Sequence, residues 1–369
     1  MFRLALRNLI QNKTRLLFSV GGTGLALTLV LFFGAVFAGA TGRLTVYIDN
    51  SGADIWVSQE GVRTMHMSAS SLPASVADDV GSVAGVAEAL PILYAEDMVE
   101  AEGKRFISYV FGVPEGAVMG GPWRVVEGSS RAGAGEVIID RAIARQAGIG
   151  VGDRMLVLGQ EMTISGLTTG TSSIINSVSF VSMEDFERVR GESVISFVLV
   201  RVEDGESAEA VASAVRQQVD GTTVQTREEF ADQERKLAKD MMADLLSIMD
   251  TAGYLTGLAV VMLTVYIATI ARRREYGVLK AIGVRNSRLY QVVIAQAVMS
   301  VSMGFVFGAG LTLLLSAIIP SFNEVLVLSL TGGLLLRVAI VSTLLAGLAA
   351  VLPARQIAGL EPVAVIRGR

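Results

Sequence analysis

The residues best suited to ligand chemistry form one short run, Met65-His66-Met67. Its imidazole is the only histidine side chain among 369 residues, and it lies between two thioethers. An imidazole flanked by soft sulfur atoms can bind haem iron or a soft metal ion. The same run can also form an ordinary loop, or contact a bilayer surface, through its flexible apolar side chains. The sequence leaves both interpretations open, so Met65, His66 and Met67 are candidate contacts for haem, a metal or a substrate.

Other kinds of reactive site are excluded by residues that the chain lacks. It contains no cysteine, which excludes disulfides, thiolate metal sites and cysteine nucleophiles. A nucleotide-binding P-loop needs Gly-x-x-x-x-Gly-Lys-Ser/Thr, but only Lys104 among five lysines follows a glycine, and Arg105 comes next. The chain shows no nucleophile–base pair of the kind that a membrane-anchored enzyme needs. We expect no catalytic residue, no dedicated metal site, no bound cofactor and no nucleic-acid partner.

Composition divides the chain into an acidic part and apolar, basic flanks. Hydrophobic residues make up 51% of the chain, too many for an ordinary soluble protein. Residues 43–244 carry 17 basic and 31 acidic side chains, whereas the remainder carries 14 basic and 4 acidic ones. This is the charge pattern of an exported domain held by positively charged anchors on the inner side of a membrane.

Four apolar stretches are long enough to cross a bilayer, which takes roughly 20 residues as a helix. Basic residues precede the first stretch, which is too long for a cleaved signal peptide, so both termini are expected in the cytoplasm. We predict an integral membrane α-helical protein of four transmembrane helices, with an extracytoplasmic α/β (α+β) domain inserted between helices 1 and 2. Its expected location is the cell (inner or cytoplasmic) membrane. The predicted segments are a cytoplasmic amphipathic helix at 1–15, transmembrane helix 1 at 16–42, the extracytoplasmic domain at 43–225, a stalk helix at 226–250, transmembrane helix 2 at 251–271, a basic cytoplasmic segment at 272–288, transmembrane helix 3 at 289–319, an outer loop at 320–330, transmembrane helix 4 at 331–352 and a cytoplasmic tail at 353–369.

The acidic region has the alternating patterns of an α/β domain. Apolar and polar residues alternate in strand-like runs, and glycines mark the expected turns. Strands are predicted at 53–57, 106–113, 136–140 and 194–202, and helices at 72–83, 142–147 and 208–219.

One long helix is predicted from Arg227 to Ile270. Thr226-Arg-Glu-Glu229 fits a capping box, in which both side chains accept hydrogen bonds from free backbone N–H groups at a helix start. No glycine or proline interrupts the run before Gly253. Such a helix is roughly 66 Å long at 1.5 Å per residue, so its first part is interpreted as a stiff stalk paired with the outward extension of helix 1 near residues 44–48. The alternative is a linker helix packed on the domain.

Small residues and one lone charge distinguish the apolar stretches. The motifs Gly253-x-x-x-Gly257 and Gly304-x-x-x-Gly308 let helices approach closely. The predicted spans lack Asp, Glu, His and Lys, which argues against a proton-coupled carrier. Arg337 is the one charge inside the fourth stretch, and we predict that its side chain extends to the outer lipid headgroups.

A short basic segment separates the second and third apolar stretches. The positive-inside rule places it in the cytoplasm. Tyr276, Leu279 and Ile282 recur at helical spacing and predict one apolar face, while Gly277 and Gly283 are spaced to bracket a short helix. Charge alone also fits a simple topogenic loop. The charged residues of the segment are Arg272, Arg273, Arg274, Glu275 and Lys280.

This segment resembles the coupling helix of FtsX-like (type VII) ABC transporter permeases. The resemblance rests on Arg-Arg-Arg-Glu-Tyr-Gly-Val-Leu-Lys-Ala-Ile-Gly, from Arg272 to Gly283. The start Leu-Ala-Leu-Arg-Asn-Leu-Ile and the terminal Pro-Ala-Arg…Pro…Arg pattern are similar to the two ends of that family. Residues 136–166 resemble the extracytoplasmic core domain of macrolide-efflux-type permeases. The group also includes lipoprotein-release, cell-division and haem-export permeases.

The resemblance implies a permease subunit that receives force from a separate ABC ATPase. In this family two ATPase copies, which bind ATP-Mg, work with a homodimer of the permease embedded in membrane lipid. The residues expected to couple to the ATPase are Arg273, Arg274, Glu275, Tyr276, Gly277, Leu279, Lys280, Ala281 and Gly283. The residues of the cytoplasmic tail motif are Pro353, Ala354, Arg355, Pro362 and Arg367.

Two functions are compatible with this resemblance. One is export of a hydrophobic or amphipathic substrate, such as haem, a lipid-like compound, a peptide or a drug. The other is a non-transporting regulator of cell-wall hydrolases, like the cell-division permease, in which movement of the exterior domain is the output. The larger α/β domain favours an exporter.

Overall fold

A computed structural model describes residues 13–66, 69–172, 177–191, 194–271, 273–322 and 326–358. These residues form two compact units. One is an α/β unit made of residues 40–241 with 326, and the other is a helical unit made of the described parts of 1–39, 242–323 and 327–369. The amphipathic helix predicted at 1–15 lies outside the described residues up to residue 12. Met67, Arg272, Pro362 and Arg367 also lie outside them.

A mixed β-sheet forms the centre of the α/β unit. The strands of this unit are β1 (Ile55–Gln59), β2 (Leu72–Pro73), β3 (Val86–Ala101), β4 (Lys104–Val113), β5 (Val125–Gly128), β6 (Glu136–Asp140), β7 (Arg154–Val157), β8 (Gln160–Thr168), β9 (Ser177–Ser182), β10 (Val194–Ile195), β11 (Phe197–Val202) and β12 (Thr222–Thr226). The mixed sheet has ten strands in the order β12-β1-β11-β3-β4-β9-β6-β8-β5, with β7 paired to β3 and β8 off this path, and β10 and β2 form a separate two-stranded sheet. The β4–β9 and β6–β8 pairs are parallel, whereas β3 and β4 are antiparallel neighbours.

Short helices cover the sheet and bury their apolar sides against it. Asp140 caps one of them, because its carboxylate accepts a hydrogen bond from the Ala142 N–H at 2.7 Å. Gly148 ends the same helix at φ 83°, a left-handed conformation that glycine adopts without a Cβ clash. This confirms the strand–helix–glycine prediction. The helices are α3 (Ser75–Gly81), α4 (Arg141–Ala147), α5 (Met183–Arg190) and α6 (Ala208–Gln218).

Two of the predicted segments in this unit are partly wrong. The helix expected at 72–83 begins only at Ser75, because Leu72 and Pro73 pair with β10 as strand β2. A residue before proline is pushed towards extended backbone, which explains this boundary. The strand expected at 194–202 is divided at Ser196 into β10 and β11.

Within the described part of the chain, four helices are long and apolar enough to cross a membrane. Their apolar windows are Val20–Leu44, Ser247–Ala271, Asn286–Ile318 and Gly332–Arg355. Length and composition alone support this, and they confirm the prediction of four apolar helices. The long helices of the described chain, with the short ones that follow two of them, are α1 (Lys13–Leu44), α2 (Val46–Asn50), α7 (Arg227–Ala271), α8 (Arg273–Ala281), α9 (Asn286–Ile318) and α10 (Gly332–Ala358).

Helix α1 packs against its neighbours in the helical unit through small residues. A Cβ on Gly308 of α9 would lie 2.9 Å from the carbonyl oxygen of Gly24 on α1. A Cβ on Gly253 of α7 would collide with the Val30 side chain of α1. A side chain at either position would force atoms of α1 to shift, so Gly253 and Gly308 serve close helix packing, as predicted.

Candidate functional site

Helix α8 of the helical unit contains the basic segment, and its end is fixed by Gly283. Gly283 has φ 90° and its N–H donates to the Lys280 carbonyl at 3.1 Å, while the Val284 N–H donates to the Leu279 carbonyl at 3.1 Å. These two bonds form a Schellman motif, which satisfies carbonyl groups at a helix end. The expectation that Gly277 also marks a helix boundary is wrong, since Gly277 lies buried inside α8.

The face of α8 turned towards the bundle is held by apolar contacts. Tyr276 is buried in the main apolar cluster of the helical unit, and Leu279 and Val284 pack against that cluster. Ala354 of the tail motif belongs to the same cluster, so the structure brings the basic segment and the tail into one packed core. Pro353 is also buried, inside helix α10, whereas Arg355 is exposed.

The opposite face of α8 combines charge with exposed apolar side chains. Arg274 and Glu275 are exposed, Val278 is 51% exposed and Ile282 is 71% exposed. Arg274, Val278 and Ile282 are four residues apart, so they form one stripe along the helix. Ile282 was predicted to share a face with Tyr276 and Leu279, and the structure instead places it on this outward stripe. Val278 was absent from the predicted contact residues because only the folded bundle decides which face is covered. We refer to Arg274, Val278 and Ile282 as the outward stripe.

Helix α7 begins with the predicted capping box, inside the α/β unit. The Thr226 N–H donates to Glu229 Oε2 at 2.9 Å, and the Glu229 N–H donates to Thr226 Oγ1 at 3.3 Å. One turn later, Phe230 stacks on Trp56 with a ring-centroid separation of 4.8 Å. These contacts fix both the first backbone groups and the first apolar side chain of the helix.

An aromatic cluster in the α/β unit joins the start of α7 to helix α2. Tyr47 of α2 stacks on Phe111 with 3.5 Å between ring centroids, and Phe230 of α7 packs into the same cluster. An ion pair of 3.6 Å between Arg235 and Asp49 adds a second link between the two helices. The pairing expected between the long helix and the extension of helix 1 is therefore present at α2. The cluster contains Tyr47, Trp56, Tyr94, Tyr109, Phe111, Phe180, Phe197 and Phe230.

Glu234 of α7 holds the loop that contains the only histidine. Its side chain is 1% exposed, and its carboxylate lies 2.5 Å from His66 Nδ1. The same carboxylate accepts hydrogen bonds from the Met65 N–H and, at 3.2 Å, from the His66 N–H. Glu234 was not among the predicted site residues, because nothing in a charged helix indicates which carboxylate is buried.

This geometry favours a structural role over ligand binding for the described loop residues Met65 and His66. Met65 is buried in the aromatic cluster, and His66 packs edge-on against Tyr109 with ring centroids 4.9 Å apart. His66 Nε2 is buried and Nδ1 faces Glu234, so neither ring nitrogen is open to a haem iron in this conformation. Among the described residues, no group of three or more His, Cys, Asp or Glu side chains could hold a metal ion.

Burial raises the pKa of two tyrosines in this cluster. The pKa of Tyr47 is raised by burial, and its hydroxyl donates a hydrogen bond of 2.8 Å to the Gly120 carbonyl. The pKa of Tyr94 is raised by burial first, and then by the nearby Tyr109, Glu96 and Glu234. Both phenols are therefore neutral in the folded chain over the whole physiological range.

Arg337 has a charged partner that was not predicted. Its guanidinium donates to the carboxylate of Asp250 on α7, within the helical unit. Asp250 is 15% exposed and Arg337 is 59% exposed. The extension of Arg337 to the outer lipid headgroups stays a prediction. Its Asp250 partner was not predicted, because Asp250 precedes the uncharged run that was taken as the second span.

Comparison with known proteins assigns both parts of the chain. Residues 16–218 match the family model of a MacB-like periplasmic core domain, and residues 251–362 match that of an FtsX-like permease C-terminal domain. An uncharacterised ABC transporter permease of Mycobacterium tuberculosis is 23% identical over 368 residues, which cover 99% of this chain and 99% of the relative.

Relatives with named activities align over shorter regions. The macrolide export ATP-binding/permease protein MacB of Burkholderia lata is 24% identical over 58% of this chain and 32% of its own length. A probable syringafactin export ATP-binding/permease protein of Pseudomonas syringae pv. tomato is 27% identical over 48% of this chain and 27% of its own length. The crystal structure of the periplasmic region of MacB from Actinobacillus actinomycetemcomitans aligns with 49% of this chain and 94% of that chain, at 11% identity and a TM-score of 0.39.

Membership of an ABC permease family implies an ATPase partner, and the four apolar helices indicate a membrane protein. The chain belongs to the family of ABC transporter permeases that combine a MacB-like periplasmic core domain with an FtsX-like permease domain.

Proposed function

We propose that this chain is the membrane subunit of an ABC exporter in the cell (cytoplasmic) membrane. Its α/β unit lies outside the cytoplasm and both termini lie inside, because the basic residues concentrate beside the apolar helices and the acidic ones in the α/β unit. ATP hydrolysis takes place on a separate ATPase, since the sequence contains no P-loop lysine motif. Two copies of each subunit form the complex.

The observation that carries this proposal is the continuity of helix α7. Its 45 residues, about 68 Å at 1.5 Å per residue, begin at a capped and aromatic-anchored turn of the α/β unit and end two residues before α8. A helix is stiff along its axis, so displacement at Ala271 reaches the anchored turn. The exterior unit therefore follows movements of the membrane helices.

The outward stripe of α8 is the surface that would contact the ATPase. Tyr276 and Leu279 fix the helix to the bundle, so pressure on the stripe is passed to the membrane helices instead of being lost in a mobile loop. Exposed Val278 and Ile282 supply apolar anchors, and Arg274 with Lys280 supplies charge around them. Ala354 of the tail motif lies in the same apolar cluster as Tyr276, so the tail packs on the inward face of α8.

A second copy of the chain would complete the structure along α7. Met241 and Ile248 of this helix are 62% and 67% exposed and seven residues apart, the spacing at which apolar residues pair two helices. Relatives named for macrolide and syringafactin export support an organic compound of amphipathic or hydrophobic character as the substrate. Haem is one such compound.

The test is to purify the full chain from native membranes and identify any ATPase with Walker motifs that co-purifies. The V278D/I282D variant is expected to retain at least tenfold less ATPase than the parent. V118D is the matched control, since Val118 is 67% exposed in the α/β unit. Retention of the ATPase by V278D/I282D at the parental level refutes the assignment of the contact surface. ATP hydrolysis that drives no substrate release from vesicles favours a regulator of extracellular enzymes over an exporter.

A further inference from the structure

The apolar windows of the four candidate membrane helices contain one acidic residue, Asp250. Basic residues occur at the margins of the candidate spans, at Arg43, Arg288 and Arg355, and at one interior position, Arg337. The structure pairs the single acid with the single interior base. Charged residues inside membrane helices are costly and are commonly retained for a role with a defined partner.

Asp250 and Arg337 occupy similar positions in the apolar windows of their helices. Asp250 is three residues beyond the start of the apolar window at Ser247, and Arg337 is five residues beyond the start at Gly332. At 1.5 Å per residue these offsets are about 5 and 8 Å. Arg337 is roughly 27 Å along α10 from Arg355, at the other end of the span. The pair therefore lies near the first residues of both apolar windows, whereas the basic segment follows the last residue of the α7 window.

The two side chains of the pair differ in their exposure to solvent. The Asp250 carboxylate is mostly buried among the helices, whereas the long Arg337 side chain is more than half exposed and reaches inward to it. Removing Arg337 would leave a buried carboxylate without its counter-charge, and removing Asp250 would leave a cation on an apolar helix. Each single loss is more harmful than the loss of both charges together.

We propose that Asp250 and Arg337 form an interhelical charge clamp that positions helix α10 against helix α7. Asp250 lies on the same continuous helix as Glu234 and the capping box. Within the helical unit, the clamp makes α10 follow α7 near the first residues of their apolar windows. Asp250 and Arg337 are thus positioning residues. The clamp goes beyond the proposed function and does not depend on the identity of the ATPase or the substrate.

The chain itself makes a clean spectroscopic test possible, because it has no cysteine. Cysteines introduced by L255C on α7 and L336C on α10, at positions 59% and 63% exposed, accept nitroxide labels in the full chain in lipid nanodiscs. Pulsed electron–electron spin resonance then gives the label-to-label distance distribution. D250N, R337Q and the double variant D250N/R337Q form a double-mutant cycle with conserved side-chain size. R288Q is the control, since Arg288 is exposed on α9 outside the pair.

Each single variant is expected to at least double the width of the distance distribution. The double variant is expected to be closer to the parent than either single variant, and R288Q is expected to match the parent. The clamp is overturned if the increases in distribution width of the two single variants add in the double variant. It is also overturned if the single variants have the same distribution width as R288Q. In a complex with the ATPase, D250N is expected to lower ATP-driven substrate release at least tenfold and D250N/R337Q to restore part of it. That second measurement rests on the proposed function, whereas the distance measurement without ATPase does not, so the two failures are distinguishable.

Discussion

Replacing Glu234 with alanine is the sharpest test of how α7 is anchored in the α/β unit. The change leaves the Met65 and His66 N–H groups without their acceptor and removes the carboxylate beside His66 Nδ1. A buried donor left without a partner costs about 1–3 kcal/mol, so the two backbone donors together cost roughly 3–5 kcal/mol near the middle of that range. We therefore expect E234A to lower the free energy of unfolding of the α/β unit by about 3–5 kcal/mol.

The assay is thermal unfolding of the full chain in nanodiscs, followed by tryptophan fluorescence. Trp56 stacks on Phe230 at the start of α7, so its emission reports on the anchored turn. For a unit of this size, about 1 kcal/mol shifts Tm by about 2–4 °C, so the expected decrease is about 6–20 °C. E234Q keeps an acceptor oxygen, so its Tm should decrease less than that of E234A. E228A is the control, because Glu228 is exposed on the same helix and should change stability by less than about 0.5 kcal/mol.

One outcome would refute the reasoning directly: an E234A chain as stable as E228A. Such a result would mean that the histidine loop is not held by α7 and that His66 is free for another role. Titration with haem then distinguishes the remaining possibility. A haem absorbance shift in the parent that is lost in H66A would support ligation, and no shift in the parent would end that hypothesis.

Two further predictions follow from packing and from burial. G308L should abolish folding of the helical unit, measured as loss of the monodisperse detergent-solubilised protein, because a Cβ there meets the Gly24 carbonyl; G310L should be tolerated, since no atom lies within 4 Å of its Cβ position. Stability should fall as pH rises above about 10, because the unfolded chain ionises its phenols there whereas burial raises the pKa of Tyr94 and Tyr47 in the folded chain. Removing one phenol in Y94F should flatten the slope of unfolding free energy against pH by up to about 1.4 kcal/mol per pH unit, and an unchanged slope would contradict the assignment.

Local sequence patterns predicted those elements whose signals are contained within a few residues. The capping box at Thr226, the glycine stop at Gly148 and the four apolar helices follow from hydrogen-bond chemistry, backbone freedom and hydrophobic length. The 16-residue strand β3 was not predicted, because its ladders with β11 and β4 depend on pairing across the sheet and not on its own local pattern. Pairing between distant strands leaves only a weak local pattern.

The sequence by itself determined the class of protein: an acidic α/β region between apolar helices, a basic segment that resembles a coupling helix, and the absence of an ATP-binding motif. Only the tertiary structure decided which side chains face each other. It placed Val278 and Ile282 outward, buried Glu234 against His66, and joined Asp250 to Arg337. The physical reason is that composition and periodicity describe one segment at a time, whereas burial and charge pairing depend on which segments meet in the folded chain.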